Sequence, residues 1–429
     1  IGMTGEDAFV ASDVPAILNY TRHVYYIDNM EMAHLKKGGV EFFNIDGDPI
    51  EKELVEIKWD AEAAEKGGYE HFMLKEIHEQ PKAVEDTIHS VVKDGNRIDL
   101  SGVGLSEEEI KKISQIYIVA CGSAYHVGVS SQYVLEDLAG IPVRVELASE
   151  FRYRSMPLLK DALAIIISQS GETADSLEAL RKMKASGIKT LAIVNVVGSS
   201  IAREADHVFY TLAGPEIAVA TTKAYSTQLV ANDLLAIEFG RVRGLLTDEE
   251  AYRLVEEVKN IPEKIATILE DKNRIQWFAS KFANAHDIFF IGRGIDYATC
   301  MEGSLKCKEI SYIHSEAYAA GELKHGTISL VEEGTLVIGV CPQSDVFEKT
   351  VSNRVETASR GAYLMGLTTE DNYSLEDVAR FTVFVPKVDE HFSTSLAVVP
   401  LQLLGYYISL ARGLDVDKPR NLAKSVTVE

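Results

Sequence analysis

Residues 115–128, QIYIVACGSAYHVG, and residues 287–300, DIFFIGRGIDYATC, share one form: a short apolar run, a glycine turn, and the opening of a helix. Two further pairs follow in the same order. ALAIIISQS near 164 is echoed by LVIGVCPQS near 336, and TLAIVNV near 190 by AYLMGLT near 362. The three offsets agree at about 171 to 174 residues, which chance matches would not do. Apolar strands alternating with helices are the sequence form of a parallel sheet covered on both faces. The chain is therefore read as α/β, with two tandem copies of a doubly wound parallel-sheet domain joined in the acidic stretch 247–257.

Ahead of the copies, residues 1 to about 60 alternate in strand fashion, as in His23 to Ile27 and Gly39 to Ile45, with turns at Lys37-Gly38-Gly39 and Asp46-Gly47-Asp48. A small antiparallel piece is expected, belonging to a larger sheet because alone it would leave edges and an apolar face open. A charged helix, Lys75 to Lys93, reads after Pro81 as a linker. The expected division is 1–72, 73–246, 247–411 and a tail, 412–429.

With 429 residues, 46% of them hydrophobic, the chain can bury several cores. Its net charge of −22 and the lack of a basic patch interleaved with aromatics argue against nucleic acid and anionic membranes as partners. Cys121, Cys300, Cys307 and Cys341 lack metal or redox spacing and read as reduced thiols. The apolar stretch Leu396 to Leu410, interrupted by Pro400, Gln402 and Gly405, falls short of a membrane span and reads as a buried helix. The opening IGMTGEDAFVASD has no secretory signal, so a cytoplasmic, excised or processed piece is expected.

Two stretches carry chemistry. Strand Leu163 to Ile167 ends in Ser168-Gln169-Ser170-Gly171 and enters a helix near Glu172 or Thr173. Free amides, the positive end of the helix dipole and three hydroxyls suit a phosphate monoester. An ordinary serine-capped turn has the same composition, and the residues alone do not choose between them. Glu172 disfavours an anion unless it points away. The turn Cys121-Gly122-Ser123-Ala124 would lie on the same carboxyl edge of the sheet. Neither it nor Gly292-Arg293-Gly294 completes a dinucleotide fingerprint, which disfavours a nicotinamide enzyme.

The second stretch is EGSLKCKEISYIHSEAYAAGELKHG, residues 302–326. Glu302, Lys306 and Glu309 recur at i, i+4 and i+7 and so share a helix face. On an anonymous helix that is a solvated face with a salt bridge. Here the helix follows a strand and a glycine turn, and His325 stands in a glycine-flanked loop downstream, which favours proton transfer near neutral pH. By composition the tail, ARGLDVDKPRNLAKSVTVE, is a polar terminus of the kind that frays.

SQSGETADS, AVATTKAYSTQ (218–228), the 302–326 stretch and DVDKPRNLAKSVTVE resemble, in order and from about residue 75 to the end, the isomerase part of the glutamine:fructose-6-phosphate aminotransferase (glucosamine-6-phosphate synthase) family. The resemblance implies two sugar isomerase domains, preceded by the C-terminal remnant of a glutaminase domain. Implied partners are fructose 6-phosphate, glucosamine 6-phosphate and ammonia or glutamine-derived nitrogen, with no cofactor and no metal. The family's glutaminase uses an N-terminal cysteine, and no cysteine precedes Cys121, so glutaminase activity is expected to be absent.

Carried over by motif, Ser168, Gln169, Ser170 and Thr173 match the sugar-phosphate loop and Ser123 a ligand-contacting hydroxyl, although Ala124 stands where the family often has serine. Val219 and Ala423 match backbone contacts to the sugar. Glu309 matches the acid/base that moves a proton between C1 and C2, and Lys306 a lysine assisting it. His325 matches the ring opener, presented in this family by the other subunit of a homodimer. Lys424 matches the Schiff-base lysine, which burial beside another cation would bring to its neutral, nucleophilic form. A fructosamine-phosphate deglycase and a non-catalytic sugar-phosphate-sensing module are the alternative readings.

Overall fold

The computed structural model describes residues 1–12, 14, 16–18, 20–28, 30–57 and 65–428. Two five-stranded, all-parallel sheets dominate it. In the first, the strand order is Val143–Leu147, Gln115–Ala120, Ala162–Ser168, Lys189–Val194, His207–Tyr210. In the second it is His314–Ala319, Asp287–Gly292, Leu336–Val340, Tyr363–Thr369, Phe381–Val385. Both sheets run second, first, third, fourth, fifth, so the sequence repeat is a repeat of topology. The order reverses between the first and third strands, the place where open α/β sheets bind ligands at their carboxyl ends.

Strands buried on both faces read as unbroken apolar runs, and every residue of Ala162–Ser168 is buried. Helices Gly122–Ala139 and Ile295–Ser311, which follow the first strand of each sheet, pack against each other and close one core across both copies. Each ends on a left-handed residue, Gly140 and Tyr312.

Helix Ser393–Ala411 is buried along almost its whole length. With Glu390–Phe392 before it, it is long and apolar enough to cross a membrane, longer than the interrupted sequence led us to expect, but 89% of that window is buried in the protein. Its apolarity serves the core, as the sequence reading held.

Lys75 to Lys93 is not a linker. Two helices, Phe72–His78 and Gln80–Val91, bury Met73, Ile77, Val84 and Ile88, and Pro81 sits in the first turn of the second, where its missing N–H costs nothing. The Gln80 side chain bonds Gln402 at 2.9 Å and also Ser226, locking this pair of helices onto the central ones. The expected join at 247–257 is likewise helical: Asp248–Lys259 starts with a Thr247/Glu250 capping box and packs on Lys223–Val242.

The N-terminal piece is antiparallel, but as two small sheets: Ala8–Phe9, Gly2–Met3, His23–Val24, Val55–Glu56, and Glu31–Lys36, Gly39–Asn44, Pro49–Ile50. Its apolar side, Val14, Ile17, Val24 and Ile57, meets Val196 of the first copy. Asp28 pairs with Arg203 at 2.7 Å and the Tyr26 hydroxyl donates to the Val197 carbonyl at 3.2 Å. Residues 58–64, within the expected piece 1–72, lie outside the described residues.

Candidate active site

A cleft of about 270 Å³ opens at the carboxyl edge of the first sheet, at its switch point. Ser123, Ser168, Gln169, Ser170, Thr173, Val219, Glu309, Ala423 and Lys424 all line it. The structure thus gathers nine of the eleven sequence-predicted site residues, drawn from both copies and the tail. Lys306 stands directly behind Glu309, and His325 is elsewhere.

The serine loop at residues 168–173 is built by its own hydroxyls. Ser168 Oγ accepts from the Gly171 amide at 3.0 Å and bonds Thr173 Oγ1 at 2.9 Å, while Ser170 Oγ accepts from the Glu172 amide at 3.1 Å. Gly171 has φ of +67°, and a Cβ there would lie 2.0 Å from Ser199 Oγ, so only glycine fits. The turn delivers the chain into helix Ala174–Ala185, with Thr173 at the N-cap position and its hydroxyl turned to Ser168 instead of the helix amides. Glu172 is engaged elsewhere: its carboxylate accepts from the Ser200 amide at 2.8 Å. Gln169 Nε2 is buried without a partner, a donor left over in the wall of the cleft.

The tail is held, not frayed. Asp417 accepts from the Phe72 and Met73 amides at 2.9 and 2.8 Å, and its carbonyl accepts from Val219 N–H at 3.0 Å. Arg420 lies over the Tyr312 ring at 4.2 Å. Ser425 Oγ bonds Ser170 Oγ at 2.9 Å, and the Val426 carbonyl accepts from the Ala174 amide at 3.0 Å, so the tail rests on the serine loop and helix start. This seats Lys424 in the cleft.

On helix Ile295–Ser311, Lys306 Nζ lies 2.5 Å from Glu309 Oε2 and 3.5 Å from Glu302 Oε1, with Lys306 and Glu302 fully buried. Burial opposes the charge on Lys306, but Glu309 and Glu302 outweigh it and raise its pKa, so it remains an ammonium. Burial likewise opposes charge on Glu302; Lys306, His126 and Ser123 outweigh it and hold the carboxyl below its ordinary value. Ser123 Oγ donates to Glu302 at 2.8 Å and His126 Nδ1 lies 2.8 Å from its other oxygen. The three-residue face expected on this helix is therefore a buried network across both copies, with Glu309 alone reaching the cleft.

Lys424 has the opposite neighbour from the one expected. Its Nζ lies 2.5 Å from Glu216 Oε2, a fully buried carboxylate rather than a second cation. Sequence reasoning missed Glu216, which precedes the recognised 218–228 motif and carries no periodic signal, and also Thr221 and Gln228, which lie within that motif and line the cleft. His325, exposed in the turn Leu323–His325, is not in this cleft. Among the described residues, no three His, Cys, Asp or Glu side chains converge as a metal site would require.

The sequence profile of the SIS domain matches residues 109–238 and 281–412, once for each sheet. A glutamine–fructose-6-phosphate aminotransferase (isomerizing) of Caldanaerobacter subterraneus subsp. tengcongensis is 53% identical over all 429 residues, which span 71% of that relative. The chain belongs to this aminotransferase family. The Clostridium acetobutylicum aminotransferase is likewise 53% identical over the whole chain, across 71% of its own length. Among solved structures, the C-terminal domain of glucosamine-fructose-6-phosphate aminotransferase from Francisella tularensis superposes with a TM-score of 0.80 at 40% identity, covering 82% of this chain and 100% of that one.

Proposed function

We propose that this chain converts fructose 6-phosphate and ammonia to glucosamine 6-phosphate, acting as the isomerase portion of an aminotransferase. The observation that carries this reading is that Glu309, from the second copy, and Lys424, from the tail, line one cleft with the serine loop of the first copy. A phosphate fits the helix start and the Ser168, Ser170 and Thr173 hydroxyls; backbone groups of Val219 and Ala423 and the Ser123 hydroxyl meet the sugar. Lys424 attacks C2 of the open ketose to form an imine with loss of water; ammonia then adds to C2 and expels the lysine amine, leaving a C2 imine of the free sugar that acidifies the C1 proton. Glu309, on one side of the substrate, takes that proton and returns it to C2, with Lys306 fixing its carboxylate.

His325 opens the sugar ring in the site of the neighbouring subunit, which makes the working unit a homodimer. Its exposure, away from the cleft of its own chain, supports this reading. The division 1–72, 73–246, 247–411 and 412–429 follows the roles: glutaminase remnant with linker, phosphate-binding domain, proton-shuttle domain, imine-forming tail. Four free cysteines and a phosphorylated sugar substrate accord with a cytoplasmic enzyme.

The test is formation of glucosamine 6-phosphate from fructose 6-phosphate and an ammonium salt. We expect product from the wild type and a loss of about 10²- to 10⁴-fold in Glu309→Gln. No product from the wild type, or undiminished product from the variant, overturns the reading.

A further inference from the structure

Behind Lys424 lies a second carboxylate that the reaction as outlined does not use. Glu216 Oε1 accepts from the Thr222 and Ala224 amides at 2.9 and 3.1 Å, and its other oxygen faces Lys424. One residue further on, the Ile217 and Ala218 amides both donate to Glu76 Oε1, the latter at 3.2 Å. Glu76 and Glu216 are therefore held side by side by one short strap, both buried to 1% exposure or less. Glu76 Oε2 has no hydrogen-bond partner. Two carboxyl groups so close and so dry do not both ionise freely.

We infer that Glu216 is a catalytic proton carrier for Lys424, and that Glu76 is a positioning residue whose charge sets how strongly Glu216 binds that proton. This rests on the proposed imine role of Lys424. In the attack, the Lys424 ammonium passes a proton to Glu216. The freed amine bonds to C2 of the ketose, and a proton moves from nitrogen to the former carbonyl oxygen, giving the carbinolamine. Glu216 then returns its proton to that hydroxyl, which leaves as water, and the C2–N bond becomes a protonated imine. Atoms and charge balance, and Glu216 ends ionised as it began.

Burial raises the Glu76 pKa, with the Glu216 charge adding to it, to about 8 despite the opposing Lys424, Ile217 amide and Lys223. For Glu216, burial also acts upward, but the Lys424 charge and hydrogen bond and the Thr222 and Ala224 amides hold it below the ordinary carboxylate value. The resting state is thus an ion pair. When Glu76 loses its proton, its negative charge repels that of Glu216, held beside it by the same strap, and increases the proton affinity of Glu216. The other charges facing the strap are Lys223, paired with Glu79 at 2.7 Å, Lys75 beside Glu79 at 3.4 Å, and Lys306, which acts on Glu216 from the proton-shuttle helix beside Glu302 and Glu309.

The experiment traps the imine with cyanoborohydride in the full chain supplied with fructose 6-phosphate and locates the adduct by peptide mass spectrometry. In the wild type, labelling of Lys424 is expected to rise with pH through an inflection near 8. Glu216→Gln is expected to slow labelling about 100-fold while inorganic phosphate still protects the cleft from labelling. Glu76→Gln should match the wild type at pH 6.5 and lack the rise toward pH 9. No Lys424 adduct in the wild type overturns both the lysine's role and this inference. An adduct formed at the wild-type rate in Glu216→Gln overturns this inference alone. Should that variant not fold, a wild-type profile flat from pH 6.5 to 9, or one unchanged in Glu76→Gln, overturns it as well.

Discussion

Lys306 Nζ sits 3.5 Å from Glu302 Oε1, one helical turn away, with neither side chain exposed at all. A buried pair of this kind adds little over an apolar pair of the same shape, but removing one partner strands the other. Lys306→Met leaves Glu302 with only Ser123 and His126 and leaves Glu309 unsupported. It is expected to lose about 3–5 kcal/mol of stability and most isomerase turnover. Adding Glu302→Gln should recover part of the stability, seen as a rise in Tm, and none of the turnover. Recovery of both would mean that Lys306 serves the fold alone.

Asp417 does for the tail what a capping residue does for a helix. Its carboxylate takes both leading amides of helix Phe72–His78, and its carbonyl takes the Val219 amide. Asp417→Ala should cost about 1–2 kcal/mol and free the segment that carries Lys424. Limited trypsin digestion followed by intact mass is the check: cleavage after Arg420 or Lys424 should be faster in the variant. Equal rates would mean that Arg420 on Tyr312 and the Ser425–Ser170 bond hold the tail without Asp417.

His391 binds the two copies together. Its Nδ1 lies 2.6 Å from Asp389 and its Nε2 2.6 Å from Asp137, on the first-copy helix Gly122–Ala139, with buried Asp233 nearby. Burial lowers its pKa, but the two carboxylates outweigh this and raise it to about 9. A raised folded pKa contributes stability fully below the ordinary value of about 6.5, lost as pH climbs through 9. With Asp137 largely exposed the effect is on the order of 1–2 kcal/mol. Urea midpoints should fall between pH 6.5 and 9 in the wild type and fall distinctly less across that window in His391→Asn, where the slope left over belongs to Glu76.

The repeat that decided the fold also explains what sequence could and could not reveal of the site. Apolar strands buried on both faces have an unbroken signature, so both sheets and their common order were legible. Hydrogen-bonding loops at strand ends keep their short motifs, so the serine loop was legible too. Helix Gln80–Val91 was legible as a charged helix but not as a packed one, because its outward charges mask the side that buries Ala83, Val84 and Ile88. Glu216 was invisible because its meaning lies in a contact with residue 424, more than two hundred positions away. Periodicity placed Glu302, Lys306 and Glu309 on one face, but only tertiary packing distinguishes the two that are buried from the one that reaches the cleft.

The structure leaves one expected site residue apart from the others. His325 stands exposed on the turn that follows strand His314–Ala319, while Glu309 lines the cleft at the edge of the other sheet. If the histidine serves a neighbouring copy, each active site takes Glu309 from one subunit and His325 from the other. Glu309→Gln and His325→Ala homodimers should then each be nearly inactive. In a mixed dimer, one site carries both defects and the other carries neither, so half of the wild-type activity per dimer should return. A statistical mixture of the two variants should recover about one quarter, since half of its dimers are mixed. Differently tagged subunits, purified sequentially through both tags, isolate the mixed species and sharpen the expected value to one half. Isolated mixed dimers without activity would place the ring-opening residue within the same chain as Glu309, or give that role to another group.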